Sequence, residues 1–244
     1  MVPCKSLTIH LFNTVSGNYT RSHGQLTRSP RARWPITRTI GALFQQWLVP
    51  ECRHLLGKLF DRLNWRDGRA PTVVEIGSYE RQSTLWTIAN LLRHPDSRIH
   101  CIDHFAGGIE HGPDIGKSLR TRFDANVAQS ADAAKVHVHQ NLSRDGLMTL
   151  RQQGVQADFI YIDGSHQGPD VLEDLVLSFR LLKVGGIIIC DDYLWFMEGQ
   201  EVQNVDLLNS SKLAIDAFVN VFIRKLRLVQ GQPLYQLAFQ KTGD

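Results

Sequence analysis

Short apolar runs alternate with amphipathic stretches through most of the chain. Residues 72–76 (TVVEI) read as a buried strand, and 82–93 as the helix that follows it. The same alternation continues with strands at 98–103, 136–139, 158–163 and 186–190. Helices are expected between and after them, at 117–129, 144–153, 170–182 and 212–223. Two closing strands are expected at 226–229 and 234–239, separated by the turn sequence Gln230-Gly-Gln-Pro233. Repeated strand–helix alternation at this spacing predicts an α/β fold, a doubly wound and mostly parallel sheet of seven strands. Its last two strands should form an antiparallel hairpin at one edge.

Ahead of this region the period changes. Between residues 40 and 63 the apolar side chains fall at helical spacing, with Leu43, Phe44, Trp47 and Leu48, then Leu55, Leu56, Leu59 and Phe60. Pro50 divides the stretch into two helices. Residues 1–38 are rich in Ser, Thr and Arg and keep no period. The chain therefore divides into a basic arm (1–38), a helical cap (39–66) and a main α/β domain (67–244).

Charge sharpens this division. Residues 1–50 hold six basic side chains and no acidic one, which leaves 21 basic against 24 acidic in the rest. The basic character thus belongs to the arm, as a transit-like segment or as a surface that packs on the body or a partner. The main domain has no pull toward nucleic acid. No apolar run is long enough for a membrane span. The four cysteines, Cys4, Cys52, Cys101 and Cys190, form no paired motif. They read as reduced thiols, which places the protein in the cytoplasm. Of the three Asn-x-Ser/Thr triplets, none has a secretory context.

In an open parallel sheet, ligands meet the carboxyl ends of the strands. The first strand ends Glu75-Ile-Gly77-Ser78-Tyr79, a glycine turn where backbone can approach a ligand, and the second ends at Asp103, an acid suited to ribose hydroxyls. The fourth ends Asp163-Gly-Ser-His166, and the fifth ends Asp191-Asp192. Adjacent parallel strands are about 4.8 Å apart, so these three carboxylates should converge and repel. A hard divalent cation relieves such repulsion, and His166 is placed to act as a general base beside it. His100, His104, His137 and His139 have no metal-finger spacing, and the two in the third strand follow a strand period. No GxSxG, GxxxxGK[ST] or GxGxxG pattern occurs, which counts against serine hydrolases, nucleoside-triphosphatases and nicotinamide oxidoreductases.

These segments together resemble the class I S-adenosylmethionine-dependent methyltransferases. They are Val74-Glu-Ile-Gly-Ser-Tyr79 with Ser83, Ile102-Asp103, Asp158-Phe-Ile-Tyr-Ile-Asp-Gly-Ser-His166 and Leu182–Asp192. Within that class they look like the metal-dependent small-molecule branch that includes catechol and macrolide-sugar O-methyltransferases. The resemblance spans roughly residues 70–240 and implies a Rossmann-like sheet. It implies cofactor contacts at Glu75, Gly77, Ser78, Tyr79, Ser83 and Asp103, adenine contacts at Asn141, Leu142 and Ser143, and a further cofactor contact at Asp163. It also implies a divalent metal, magnesium in the first instance, on Asp163, Asp191 and Asp192, with His166 as catalytic base.

The implied reaction is methyl transfer from S-adenosylmethionine to a hydroxyl of a phenol, catechol or sugar. The expected partner is that small hydroxylated acceptor, with neither nucleic acid nor membrane, and with homo-oligomerisation left open. Aromatic residues Trp195, Phe196 and Met197, in the segment 193–210, are expected to wall the acceptor. Arg81 stands where the family carries its second glycine. It motivates an alternative reading, a cofactor-binding subunit without catalysis.

Overall fold

The structure is a computed structural model, and it describes residues 56–61, 65, 69–80, 82–112, 114–195, 206–229 and 235–244. The basic arm, most of the helical cap, Arg81, Phe196 and Met197 lie outside the described residues. Residues 56–61 are helical (α1). The elements that follow are β1 (Thr72–Ile76), α2 (Gln82–Asn90), β2 (Arg98–Ile102), α3 (Gly116–Val127), β3 (Val136–His139), α4 (Ser143–Gln152), β4 (Ala157–Ile162), α5 (Gly168–Leu181), β5 (Leu182–Cys190), α6 (Ser211–Phe222), β6 (Leu226–Val229) and β7 (Leu237–Lys241).

The seven strands form one sheet in the order β3-β2-β1-β4-β5-β7-β6. The first five strands pair in parallel. β7 inserts antiparallel between β5 and β6. The central strands are apolar at nearly every position because helices cover both faces. Val73, Phe159, Ile187 and Ile189 face one core with Leu56, Phe60 and Phe123. Val74, Ile160, Ile162 and Ile188 face the other with Leu147, Leu175, Phe179 and Phe218. In α5 the buried Val171, Leu175 and Phe179 recur every four residues, which places one stripe of the helix on the sheet.

Two departures from the sequence reading have local causes. β5 begins at Leu182 and not at Gly186, because Leu182 already pairs with Ala157 across an irregularity in the β4–β5 ladder. β7 begins at Leu237, so Gln236 lies before the strand, and its side chain turns toward the end of β5. One polar group is set deep in the helical layer. Asp174 of α5 is 1% exposed, and neither carboxylate oxygen has a hydrogen-bond partner. Burial pushes its carboxyl up to about 7, and the neighbouring charges of Asp170 and Glu173 act in the same direction.

Strand order reverses between β1 and β4, and the crevice opens there. At its floor, Gly77 takes φ +79° and passes directly against the end of β4. A Cβ at this position would overlap the Asp163 carbonyl, so the approach of the two strand ends requires glycine. Three non-glycine residues also take positive φ: Tyr79 (43°) after β1, Phe105 (58°) after β2 and Asp192 (53°) after β5. Such conformations cost energy outside glycine and tend to cluster at functional sites. Here all three lie just beyond the carboxyl ends of strands.

Candidate active site

A cavity of about 940 Å³ occupies the crevice. Its wall includes Gly77, Ser78, Tyr79, Ser83, Asp103, Asn141, Leu142, Ser143, Asp163 and His166. Residues as far apart in the chain as Gly77 and His166 are therefore gathered because they follow strands of one sheet.

The turn after β1 is held from below and from the side. Glu75 is 1% exposed and does not line the cavity. Its carboxylate accepts hydrogen bonds from the Ser78 hydroxyl at 2.6 Å and the Thr84 hydroxyl at 2.5 Å. Burial still raises its pKa, against the effect of those hydroxyls. Glu75 thus shapes the turn, while Ser78 and Tyr79 meet the cavity. From the side, Asp103 Oδ2 accepts the backbone N–H groups of Ser78 and Tyr79, each at 2.9 Å. Its Oδ1 accepts the Phe105 N–H at 2.6 Å. With Oδ2 already taking two donors, Oδ1 is the oxygen with more capacity left for a ligand hydroxyl.

Asn141 and Leu142 form the exposed corner after β3, and α4 begins at Ser143. Leu142 provides no side-chain cap, so the first N–H groups of α4 remain available to a polar ligand edge beside the cavity.

At the other end lie the acids of β4 and β5. Asp163 is pushed well up by burial first, then by repulsion from Asp191 and Asp192. Burial likewise raises Asp191, and it raises Asp192 to about 7. Asp191 Oδ2 accepts from the Tyr161 hydroxyl and from Gln236 Nε2 at 3.2 Å, while its Oδ1 accepts the Asp192 N–H at 2.9 Å. Asp192 Oδ2 is buried without a hydrogen-bond partner. Among the described residues, no group of three His, Cys, Asp or Glu side chains stands ready to hold a metal ion. The carboxylates converge as charges, with Asp191 engaged by Tyr161 and Gln236.

His166 is 5% exposed. Its Nδ1 lies 3.6 Å from Asp192 Oδ2, and its ring packs on Trp195 at 4.4 Å between centroids. Burial lowers its pKa, with Glu110 acting in the opposite sense, so the imidazole is biased toward the neutral form that can take a proton. Trp195 thus covers the imidazole ring.

Four further residues of the site escaped sequence reasoning. Tyr161 and Gln236 hold Asp191, and nothing in their spacing signals that role. Glu110 and His111 come from the long connection between β2 and α3. His111 stacks on Tyr79 at 5.0 Å and 24°, and its Nδ1 is 2.8 Å from Glu110 Oε1. Glu110 Oε1 in turn lies 4.0 Å from His166 Nε2. The only cue in the sequence was the length and glycine content of that connection.

Residues 74–193 match the model of a methyltransferase domain. No curated protein sequence matches the chain. Among solved structures, the chain is similar to the O-methyltransferase TomG of Streptomyces achromogenes, involved in tomaymycin synthesis and solved with S-adenosylmethionine. That likeness has a TM-score of 0.57 at 19% identity and covers 80% of each chain. A candidate rRNA methylase of Clostridium thermocellum follows at TM-score 0.56 and 12% identity, over 78% of this chain and 96% of that one. An O-methyltransferase of Bacillus cereus, solved with S-adenosylhomocysteine, gives 0.53 and 21% identity over 79% and 81%. At these identities the structures establish the fold and leave the acceptor open.

Proposed function

We propose that this chain, a class I S-adenosylmethionine-dependent methyltransferase, methylates a hydroxyl group of a small molecule with His166 as general base. The observation that carries the reading is the placement of His166. It lies in the same cavity as the Gly77–Tyr79 turn and Asp103, with Nδ1 facing Asp192 and Nε2 on the side of Glu110. That TomG and the Bacillus cereus protein are O-methyltransferases supports the choice of a hydroxyl acceptor.

S-adenosylmethionine supplies a methyl group made electrophilic by its sulfonium. The Gly77 turn would admit it closely, Asp103 would hold its ribose, and Asn141 to Ser143 would hold the adenine edge. His166 Nε2 removes the acceptor hydroxyl proton, with the ring packed on Trp195 and its Nδ1 on the side of Asp192. Burial under Trp195 excludes water from the base. Alignment of acceptor oxygen and methyl carbon within the cavity provides much of the acceleration.

The three carboxylates offer a hard divalent cation oxygen donors, although among the described residues they are not gathered as a ready ligand set. Asp163, Asp191 and Asp192 are all oxygen ligands, their crowding favours a positive charge, and Asp192 Oδ2 is buried without a partner. These residues would hold Mg²⁺, which would make the acceptor hydroxyl more acidic. The test is methyl transfer from labelled S-adenosylmethionine to catechol, simple phenols and deoxysugar acceptors, with and without EDTA. Labelled O-methyl product from any of these supports the reading, and transfer to none overturns it.

A further inference from the structure

The sheet order lays out the site as a line. From the ribose acid after β2, the crevice passes β1 before reaching the acids and His166 after β4. The reacting sulfonium of the donor must therefore lie above the end of β1, between Asp103 and His166. The β2–α3 connection spans this interval. It is rooted by the Phe105 N–H on Asp103, and the Phe105 ring is buried against Phe123 at 5.3 Å. Two turns of chain later, His111 stacks on Tyr79 after β1, and Glu110 reaches to within 4.0 Å of His166 after β4.

Glu110 is held in this position by its surroundings. Its side chain is 18% exposed, and Oε1 is fixed 2.8 Å from His111 Nδ1. Its carboxylate folds over Gly108, where a Cβ would overlap both carboxylate oxygens. The cavity's arginines pair elsewhere, Arg122 with Glu80 at 2.8 Å and Arg144 with Asp145 at 3.3 Å. Among the described residues, Glu110 pairs with two histidines, His111 and His166. A carboxylate is thus held, with little water around it, over the stretch where the donor carries its positive charge.

We propose that Glu110 is a specificity-determining residue that reads the charge of the donor, favouring cationic S-adenosylmethionine over neutral S-adenosylhomocysteine. The inference rests on the methyltransferase reading of the chain. Methyl transfer turns the sulfonium into a thioether and removes the positive charge that Glu110 faces. The carboxylate therefore holds the donor before reaction and loses its hold on the product afterwards. Asp103 follows β2, Asp163 follows β4, and Asp191 and Asp192 follow β5, whereas Glu110 comes from the connection between β2 and α3.

The test needs no acceptor. Calorimetry on the full chain compares S-adenosylmethionine with S-adenosylhomocysteine for the wild type, Glu110→Gln, Glu110→Asp and Gly108→Ala. Glu110→Gln keeps an oxygen for His111 and removes only the charge. It is expected to weaken S-adenosylmethionine roughly tenfold, a typical effect for one partly buried charge, while S-adenosylhomocysteine changes less than about twofold. Glu110→Asp should recover part of the preference. Gly108→Ala should lose it, because the added methyl displaces the flexible carboxylate and leaves the fold intact. An unchanged ratio of the two affinities in Glu110→Gln, including a parallel fall of both, overturns the proposal and leaves Glu110 a structural residue. Binding of neither ligand to the wild type would instead overturn the cofactor assignment itself.

Discussion

Asp103 Oδ2 accepts the backbone N–H of Ser78 at 2.9 Å, which ties the acid that ends β2 to the turn that ends β1. The same oxygen holds Tyr79, and Oδ1 holds Phe105. One carboxylate therefore sets two loops as well as facing the ligand. Asp103→Ala should weaken S-adenosylhomocysteine binding by about 1–3 kcal/mol, the range for charge-assisted hydrogen bonds. Asp103→Asn should fall between, since it keeps one accepting oxygen. Calorimetry checks both, and undiminished affinity in the alanine variant would remove Asp103 from the cofactor site.

The crowded acids at the ends of β4 and β5 lead to a second expectation. EDTA should abolish turnover, and Mg²⁺ or Mn²⁺ should restore it. Asp191→Asn should reduce metal affinity and activity together, because it removes one of three charges that a cation would neutralise. Metal titration and a turnover assay read the two effects separately. Full activity in chelator would leave the acids as a network closed by Tyr161 and Gln236.

His166→Ala should lower kcat by roughly 100- to 10,000-fold, the usual contribution of a general base. Its effect on S-adenosylhomocysteine and metal affinity should be small, since the imidazole contacts Asp192 and Trp195 and not the Gly77 turn. A variant that keeps near-normal kcat would show that solvent or another side chain takes the proton.

Asp174 carries a stability prediction with a definite sign. Its carboxyl titrates at about 7 in the fold against 3.8 for an ordinary aspartate. Between those values the folded chain keeps a proton that the unfolded chain has lost. Stability should therefore fall as pH rises from about 4 to about 7, then level off, with this residue contributing on the order of 4 kcal/mol. His100, held down to about 4 by burial first and by His139 and His137, acts oppositely over the acid range. The comparison with Asp174→Asn isolates the aspartate. That variant should be more stable than the wild type at pH 8 by urea denaturation, with the difference shrinking toward pH 4. A difference that does not change with pH would show that Asp174 stays ionised in the fold.

The sheet was legible because its signal is local and repeated. Each apolar run from Thr72 to Cys190 is bounded by a turn and followed by an amphipathic helix, so the alternation predicts a parallel sheet before any contact is known. The strand-end residues Gly77, Asp103, Asp163 and His166 were legible for the same reason, since topology places them in one crevice. Glu110 and His111 were not, because a loop's path depends on what it packs against. The stacking of His111 on Tyr79 joins residues 32 positions apart with no periodicity to announce it. Gln236 was missed because its side chain reaches Asp191 only once β7 has inserted between β5 and β6. The conformations of Tyr79, Phe105 and Asp192 have no signal either, since side chains of these types ordinarily avoid positive φ.

Gly77 sits with no room for a methyl group between the end of β1 and the Asp163 carbonyl. The two halves of the crevice therefore share one hinge-free joint. A larger residue there would wedge apart the strand that receives the donor and the strand that carries the acids. Selection cannot adjust the spacing of donor and acceptor by altering that joint without disabling both halves together. On the proposed function, new acceptors are expected to be accommodated through the connection that bears Glu110. Substrate preference is thus expected to drift in that connection, while the separation of the ends of β1 and β4 is set by backbone.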